Sequence, residues 1–373
     1  MSVSRISAVG AIALTGALAL SACAQENPAP SSSTQGAGSS ASANVECFDG
    51  DLAAEGSTAQ KNAIAQAIKS YQEACAKATI DYNATGSGSG IKQFIAKQVA
   101  FAGSDSALKT KPKDGKVEAD EAKNACGSPA WNLPMAAGPI AVAYNVQGVD
   151  KLVLNAEVAA KIFSGQITTW NDPAIAALNK GVTLPATPIK VYFRSDESGT
   201  TENFTKYLKA AAPGAWSAEP GKQWTGKGEG KEKSAGVSAA VKSQDGGITY
   251  VEWSYAQQNQ LHMAAIDTGN GPVELTGESA GKAIAAAQQV GSGNDLALKL
   301  DYATKEAGAY PIVLVTYEIV CSKYADAEQG KKVKAFLKHY ASADVQKSLE
   351  PLGYAPLPAE VLTKVDTAVD AIS

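Results

Sequence analysis

Only two histidines, His262 and His339, occur in 373 residues, and both sit in unrelated polar segments. Neither they nor the cysteine spacings form a metal-ligand pattern, so no metal is expected. Ser198 has no evident imidazole partner and no G-x-S-x-G elbow occurs, so nucleophilic catalysis is poorly supported and no catalytic residue is assigned. The phosphate loop G-x-x-x-x-G-K-[ST] is missing. The run GSGSG at 86–90 fails the dinucleotide fingerprint, which needs Gly at its first, third and sixth positions and a later acid; no cofactor is expected. Positive charge is short as well. Lys and Arg number 33 against 37 Asp and Glu, the net charge is −4 and the pI is about 5.4. With no basic stripe, non-specific nucleic-acid binding is excluded. An anionic ligand must be caught by local dipoles and not by the global field. No fixed-period repeat is present, and past the N-terminus no apolar run is long enough to span a bilayer.

What is there begins with a targeting segment over 1–22. Arg5 gives a short basic region and residues 8–20 (AVGAIALTGALAL) an apolar one, too short to span a membrane. Leu20-Ser21-Ala22-Cys23 resembles the bacterial lipobox, whose Cys is lipidated and becomes the mature N-terminus; an ordinary cleaved signal with a chance Cys is the alternative. A Ser/Ala/Gly-rich tether over 23–43 cannot bury a core. The chain is therefore expected on the extracytoplasmic face of the cell membrane, held by a lipid anchor.

Cys47, Cys75, Cys126 and Cys321 remain, an even number in an exported protein, which favours disulfides with three connectivities open. Cys47–Cys75 is preferred because the helix 57–75, about 28 Å long at ~1.5 Å per residue, returns beside an extended stretch of similar reach. Cys126–Cys321 rests on the fold implied below.

Residues 51–56 (DLAAEG) predict a short buried strand. Ser57-Thr58-Ala59-Gln60 then reads as a capping box, with Ile64, Ile68, Tyr71 and Cys75 at helical spacing behind it. A strand is expected over 78–82, broken at GSGSG, and an amphipathic helix over 91–100. Further strands are expected over 137–146, 189–193, 247–253 and 311–320. Helices are expected within 153–163, over 201–212 and around 329–349. Residues 220–236 and 267–298 read as irregular surface. Strands alternating with helices give an α/β protein with mainly parallel sheets. No clean linker divides it, so two domains would be entwined.

Three segments share one design: AEGSTAQ, NATGSGSGIKQF and FRSDESGTTENF each run from a strand through a Gly/Ser/Thr turn into a helix. A helix N-terminus offers unpaired N–H groups and the positive end of the macrodipole, hydroxyls add donors, and Gly admits close approach. Each alone is explained by capping; three on one scaffold point to an oxyanion site. Arg194 is the cation nearest the third turn and is a candidate bidentate clamp, with Asp196 able to hold its guanidinium or merely to cap the turn. Asp105, in AFAGSDSAL, forms an Asx-turn or something sharper. A carboxylate beside an anion makes sense if the anion carries a proton, as phosphate does near neutral pH and sulfate does not. Glu197, an acid beside the turn, is expected to point to solvent.

These residues, with NAEVAAKIFSGQITTWNDPAIAALN (155–179), GGITYVEWSYAQQNQL (246–261) and YPIVLVTYEIV (310–320), resemble the phosphate-binding proteins of high-affinity phosphate ABC transporters in their bacterial lipoprotein form, from about residue 50 to 358. The resemblance implies a periplasmic-binding-protein clamshell of two entwined α/β lobes joined by two hinge crossovers, with lobe I at 44–138 and 306–373 and lobe II at 139–305. It implies phosphate ligands at Thr58 (hydroxyl), Ala59 (backbone N–H), Ser87, Asp105 (proton acceptor), Arg194, Ser198, Gly199 (backbone N–H) and Thr200, with Asp196 orienting Arg194. Ser87 is a firmer assignment than Ser89, and relatives carry a bulky residue where Ala59 stands. The function implied is non-enzymatic: capture of inorganic phosphate by a monomer, and delivery to the membrane permease and ATPase subunits of an ABC transporter. A phosphatase-like hydrolase using Ser198 or Thr200, and a surface phosphate sensor or adhesin, are the alternatives.

Overall fold

The computed structural model describes residues 45–112 and 115–373. The signal segment, Cys23 and the tether up to residue 43 lie outside the described residues. In chain order the first elements are β1 (Gly50–Gly56), α1 (Lys61–Ala74), β2 (Ala78–Ala84), α2 (Ser87–Ile95), β3 (Phe101–Ser104), α3 (Glu118–Cys126) and β4 (Ala130–Asn145). Then come β5 (Val153–Asn155), α4 (Ala156–Phe163), α5 (Pro173–Leu178), β6 (Lys190–Arg194), α6 (Gly199–Ala211), β7 (Glu229–Lys231), α7 (Lys233–Ser243), β8 (Gly247–Glu252) and α8 (Trp253–Gln258). The chain ends with β9 (His262–Met263), β10 (Ala265–Asp267), β11 (Pro272–Val273), α9 (Gly277–Ala285), β12 (Gln288–Gln289), β13 (Leu298–Lys299), β14 (Val313–Cys321), α10 (Ala327–Ala341), α11 (Ala343–Leu349) and α12 (Ala359–Asp370).

One nine-stranded sheet runs through the molecule in the order β2-β1-β3-β14-β4-β8-β6-β7, with β9 beside β4. It is parallel at both wings, where helices return the chain, and antiparallel at the centre, where β14 pairs with β3 and β4, and β4 with β8. The sheet is therefore mixed where the sequence pattern pointed to mainly parallel pairing. The antiparallel centre comes from the two long strands β4 and β14, whose partners are not joined to them by a βαβ crossover.

Buried side chains fall into two clusters. One holds Leu52, Ile64, Tyr71, Phe101, Met135, Ile319, Phe336 and Val369. The other holds Val142, Phe163, Trp170, Phe204, Tyr250, Ile266, Ile284 and Leu314. β4 passes from the first, at Leu133 and Met135, to the second, at Ile140 and Val142. Its sixteen residues extend seven positions before the expected strand. Pro134 hides that half, since proline removes a ladder donor. Pro134 is accommodated at a bulge, where the β14 register shifts between Thr316 and Tyr317.

Helices form where apolar residues recur. α1 buries Ala63, Ile64, Ala67 and Tyr71 on one face. α6 is anchored by Phe204, whose ring lies 4.6 Å from Tyr250 and 4.8 Å from Phe163 between centroids. Cys47–Cys75 and Cys126–Cys321 are both bonded, the pairing expected from the sequence. Two stretches read as irregular surface prove partly helical: α7 begins within 220–236 and α9 lies within 267–298. Among the described residues no helix is long and apolar enough to cross a membrane.

Candidate functional site

The three Gly/Ser/Thr turns converge at the C-terminal ends of β1, β2 and β6. Small residues allow it. Gly56, at φ 150°, leaves no room for a side chain against the Gly103 backbone, and a Cβ on Gly90 would come within 2.5 Å of the Gly56 Cα. Backbone bonds then pin the loops: Ser57 N–H donates to Gly103 O at 2.8 Å, and Thr85 and Gly86 N–H donate to Gly56 O at 2.9 and 2.8 Å.

The capping box expected at Ser57–Gln60 is not formed. α1 starts with Gln60 at its N-cap and no side-chain cap bond. The hydroxyls turn inward instead. Ser57 Oγ donates to Asp105 Oδ1 at 2.5 Å, and Thr58 Oγ1 shares a 2.8 Å bond with Ser234 Oγ at the start of α7. The Ala59 N–H is donated to Ser57 Oγ at 3.0 Å. The helix expected over 91–100 starts earlier, within GSGSG: Ser87 is the first residue of α2, which ends at Ile95. Ser87 Oγ donates to Asp105 Oδ2 at 3.0 Å, whereas Ser89 turns away to Glu55 at 2.7 Å.

Asp105 is the focus. It is 3% exposed and accepts three hydroxyls, from Ser57, Ser87 and, at 2.8 Å, Thr316. Burial pushes its carboxyl up to about 6, against the pull of those hydroxyls, and the nearby Glu252 adds to the rise. Asn203 on α6 donates to its backbone carbonyl at 2.7 Å. Gly199 packs against it: a Cβ there would meet Ser87 Oγ at 2.5 Å and Asp105 Cβ at 2.6 Å. That contact joins a loop of the first core to the N-terminus of α6 in the second.

Arg194, 2% exposed at the end of β6, grips Asp196 through Nε at 2.7 Å and Nη2 at 2.5 Å. Its Nη1 is left to Ser234 Oγ at 3.1 Å and Thr200 Oγ1 at 3.5 Å. Burial opposes the guanidinium charge, but Asp196 more than offsets it and holds Arg194 above its ordinary value; Asp196 is correspondingly lowered, its own burial outweighed by Arg194. Ser198 is the N-cap of α6, accepting Thr201 N–H at 3.2 Å, and its own N–H is donated to Lys222 O at 2.9 Å. Thr200 Oγ1 donates to Glu252 Oε1. All eight expected ligands therefore lie in or beside one buried cluster.

Glu197 does not point freely to solvent. Its carboxylate pairs with Lys92 on α2 at 2.6 Å and its carbonyl accepts the Gly88 N–H at 3.0 Å. Lys109 with Glu202, and Lys222 with Glu118 at 3.1 Å, also link the two sides. Burial favours the neutral form of Glu202, yet Lys206, Lys109 and Lys222 hold it far below the usual carboxylate range.

Sequence reasoning missed Ser57, Ser234, Glu252 and Thr316. Two left a signal: Thr316 in PIVLVTYEIV and Glu252 in GITYVEW are polar residues in otherwise apolar strands, buried on both faces. Ser234 left none, because α7 starts in a Lys/Gly-rich stretch. Glu318, on the same strand as Thr316, is fully buried, and burial pushes its carboxyl up to about 8. No group of three or more His, Cys, Asp or Glu able to hold a metal occurs among the described residues.

A family model described as "PBP superfamily domain" matches residues 25–344. Phosphate-binding protein PstS 3 of Mycobacterium tuberculosis (strain H37Rv) is 48% identical over 380 residues, covering 100% of both chains. Phosphate-binding protein PstS of Xylella fastidiosa (strain Temecula1) is 34% identical over 294 residues, covering 77% of this chain and 76% of that one. The fold is also that of a solved structure, a high-affinity periplasmic phosphate-binding protein (PfluDING) bound with phosphate at pH 8.5. It matches with a TM-score of 0.67 at 22% identity over 85% of this chain and 93% of that one. By its superfamily domain, its full-length likeness to the mycobacterial relative and its likeness to the Xylella one over three quarters of the chain, the chain belongs to the PstS phosphate-binding proteins of the PBP superfamily.

Proposed function

We propose that the chain captures inorganic phosphate at the Asp105–Arg194 cluster and delivers it to the permease and ATPase subunits of an ABC transporter. One observation carries this reading. A buried carboxylate, Asp105, and a buried guanidinium, Arg194, face one small set of hydroxyls and helix N-termini. The cation and dipoles suit an anion; the carboxylate suits only an anion that brings a proton. Thr58, Ala59, Ser87, Asp105, Arg194, Ser198, Gly199 and Thr200 are the ligands in this reading, and Asp196 aims Arg194. About eight charge-assisted bonds of ~1.5–3 kcal/mol each gross well over the ~8 kcal/mol of micromolar binding, before closure and desolvation are deducted.

The two cores correspond in this reading to lobe I (44–138 and 306–373) and lobe II (139–305), which close on the ligand. The match is not one to one: Leu296 packs in the first core, while Ala59, Ile312, Leu314 and Leu357, from the lobe I ranges, pack in the second. Cys23 carries the lipid that holds the monomer at the outer face of the cell membrane. This reading makes the chain a receptor; its support is that Ser198 caps a helix while His262 stacks on Tyr144 and His339 bonds Ser70. Deleting the protein tests the transport role. High-affinity phosphate uptake is expected to be lost; uptake left intact overturns delivery to a transporter and favours a sensor.

A further inference from the structure

Ser234, the second residue of α7, has no place in the ligand set above, yet it lies between two members of that set. It is fully buried. Its Oγ shares a 2.8 Å bond with Thr58 Oγ1 and accepts Arg194 Nη1 at 3.1 Å. Thr58 follows β1, which packs in the first core through Leu52 and Ala54; α7 packs in the second through Val237 and Val241. One hydroxyl therefore bridges the two sides and also meets the guanidinium.

The backbone is bent to put it there. Lys233, one residue earlier, has φ 62°, a left-handed conformation that is costly for a residue with a side chain and persists only where its surroundings hold it. Asp196 does the holding. Lys233 N–H donates to Asp196 Oδ1 at 2.9 Å, the same oxygen that accepts Arg194 Nε at 2.7 Å. Asp196 thus fixes the guanidinium and the start of α7 as one unit.

Counting protons sets the direction of the bonds. A guanidinium only donates, so Ser234 Oγ is an acceptor toward Arg194. A serine hydroxyl has one proton, and Thr58 Oγ1 is its one remaining partner among the described residues. If Thr58 donated to Ser234, the serine proton would be buried without an acceptor, which is costly. Ser234 therefore donates to Thr58, and the Thr58 proton is left over for a ligand. Hydrogen bonds in such a chain polarise one another, so a cation at its head strengthens the last donor.

We propose that Ser234 is a positioning residue for phosphate: it relays the Arg194 donor to Thr58, aims the Thr58 proton at the anion and ties the two sides of the site together. This rests on phosphate being the ligand.

The test is calorimetric titration of inorganic phosphate into the ligand-stripped full chain as wild type, Ser234→Ala, Thr58→Val and the double variant. Ser234→Ala is expected to weaken binding about tenfold, the weight of one charge-assisted bond. In the Thr58→Val background no donor remains to be aimed, and the same change is expected to cost less than about threefold. A role in folding alone would lower Tm without that loss of additivity. Ser234→Ala within about threefold of wild type overturns the relay. So do losses that add in the double variant, which would make Ser234 act apart from Thr58. Both outcomes leave phosphate binding standing, whereas no phosphate heat in the wild type overturns the ligand reading itself. Should Ser234→Ala fail to fold by circular dichroism, Ser234→Cys keeps the size of the side chain with a thiol that is a weak donor and acceptor. The same loss and the same non-additivity are then expected, and wild-type affinity overturns the proposal.

Discussion

Replacing Arg194 by lysine separates charge from geometry. Two of the three guanidinium nitrogens are spent on Asp196, at 2.7 and 2.5 Å, and Nη1 alone is left to face Ser234 and Thr200. Lysine keeps the unit charge but has one nitrogen on a flexible stem, so it cannot hold Asp196 and reach an anion in the same fork. At least one charge-assisted bond is lost, about 1.5–3 kcal/mol, or roughly 10- to 150-fold in Kd. Arg194→Ala goes further, because it leaves the Asp196 carboxylate unpaired beside the ligand; about 3–5 kcal/mol is expected. Adding Asp196→Ala to it should return part of that loss, since the stranded charge is gone. Calorimetric titration of phosphate into wild type, both single alanine variants and the double variant closes the cycle. A loss below about threefold for Arg194→Ala refutes the clamp. Strict additivity refutes the idea that Asp196 acts through Arg194.

Two further outcomes are expected. Asp105 and Glu318 titrate higher in the folded protein, at about 6 and about 8, than their ordinary values of 3.8 and 4.5, so the fold binds their protons more tightly than the unfolded chain does. Stability of the ligand-free protein is therefore expected to fall as pH rises from about 4 to about 8, with Glu318→Gln raising Tm at pH 8 and flattening the slope; a ligand-free Tm that climbs from pH 5 to 8 contradicts this. Breaking Cys126–Cys321, which closes a sequence separation of 195 residues, with the paired change Cys126→Ser and Cys321→Ser should cost about 4–5 kcal/mol in denaturant unfolding, and a loss under about 1 kcal/mol contradicts a stabilising role.

Periodicity made the wings of the sheet legible. β1, α1, β2 and α6 fall close to their expected positions because each has one apolar face and a clear turn before it. The centre was harder: Pro134 masked the first half of β4, and no local pattern announces antiparallel pairing with β14. At the site, the Gly/Ser/Thr turns pointed to an oxyanion site and the family resemblance to Thr58, Ser87 and Thr200 within it, but sequence spacing cannot say which way a hydroxyl turns. Ser57 reads as the first residue of a capping box with Gln60 and instead bonds Asp105, while the Thr58 hydroxyl bonds Ser234. Partners that arrive from distant strands, such as Thr316 and Glu252, are positioned by sheet register alone. Glu197 looked like a liability beside an anion until the opposing Lys92 was seen to pair with it.

The claim that Asp105 and Arg194 together form a site for a protonated oxyanion is tested most directly by calorimetry of ligand-stripped protein against phosphate and then sulfate. Phosphate is expected to bind at micromolar or tighter Kd, and sulfate to give no heat at concentrations that saturate the protein with phosphate. Comparable heat from sulfate, which has no proton to offer Asp105, would contradict the account.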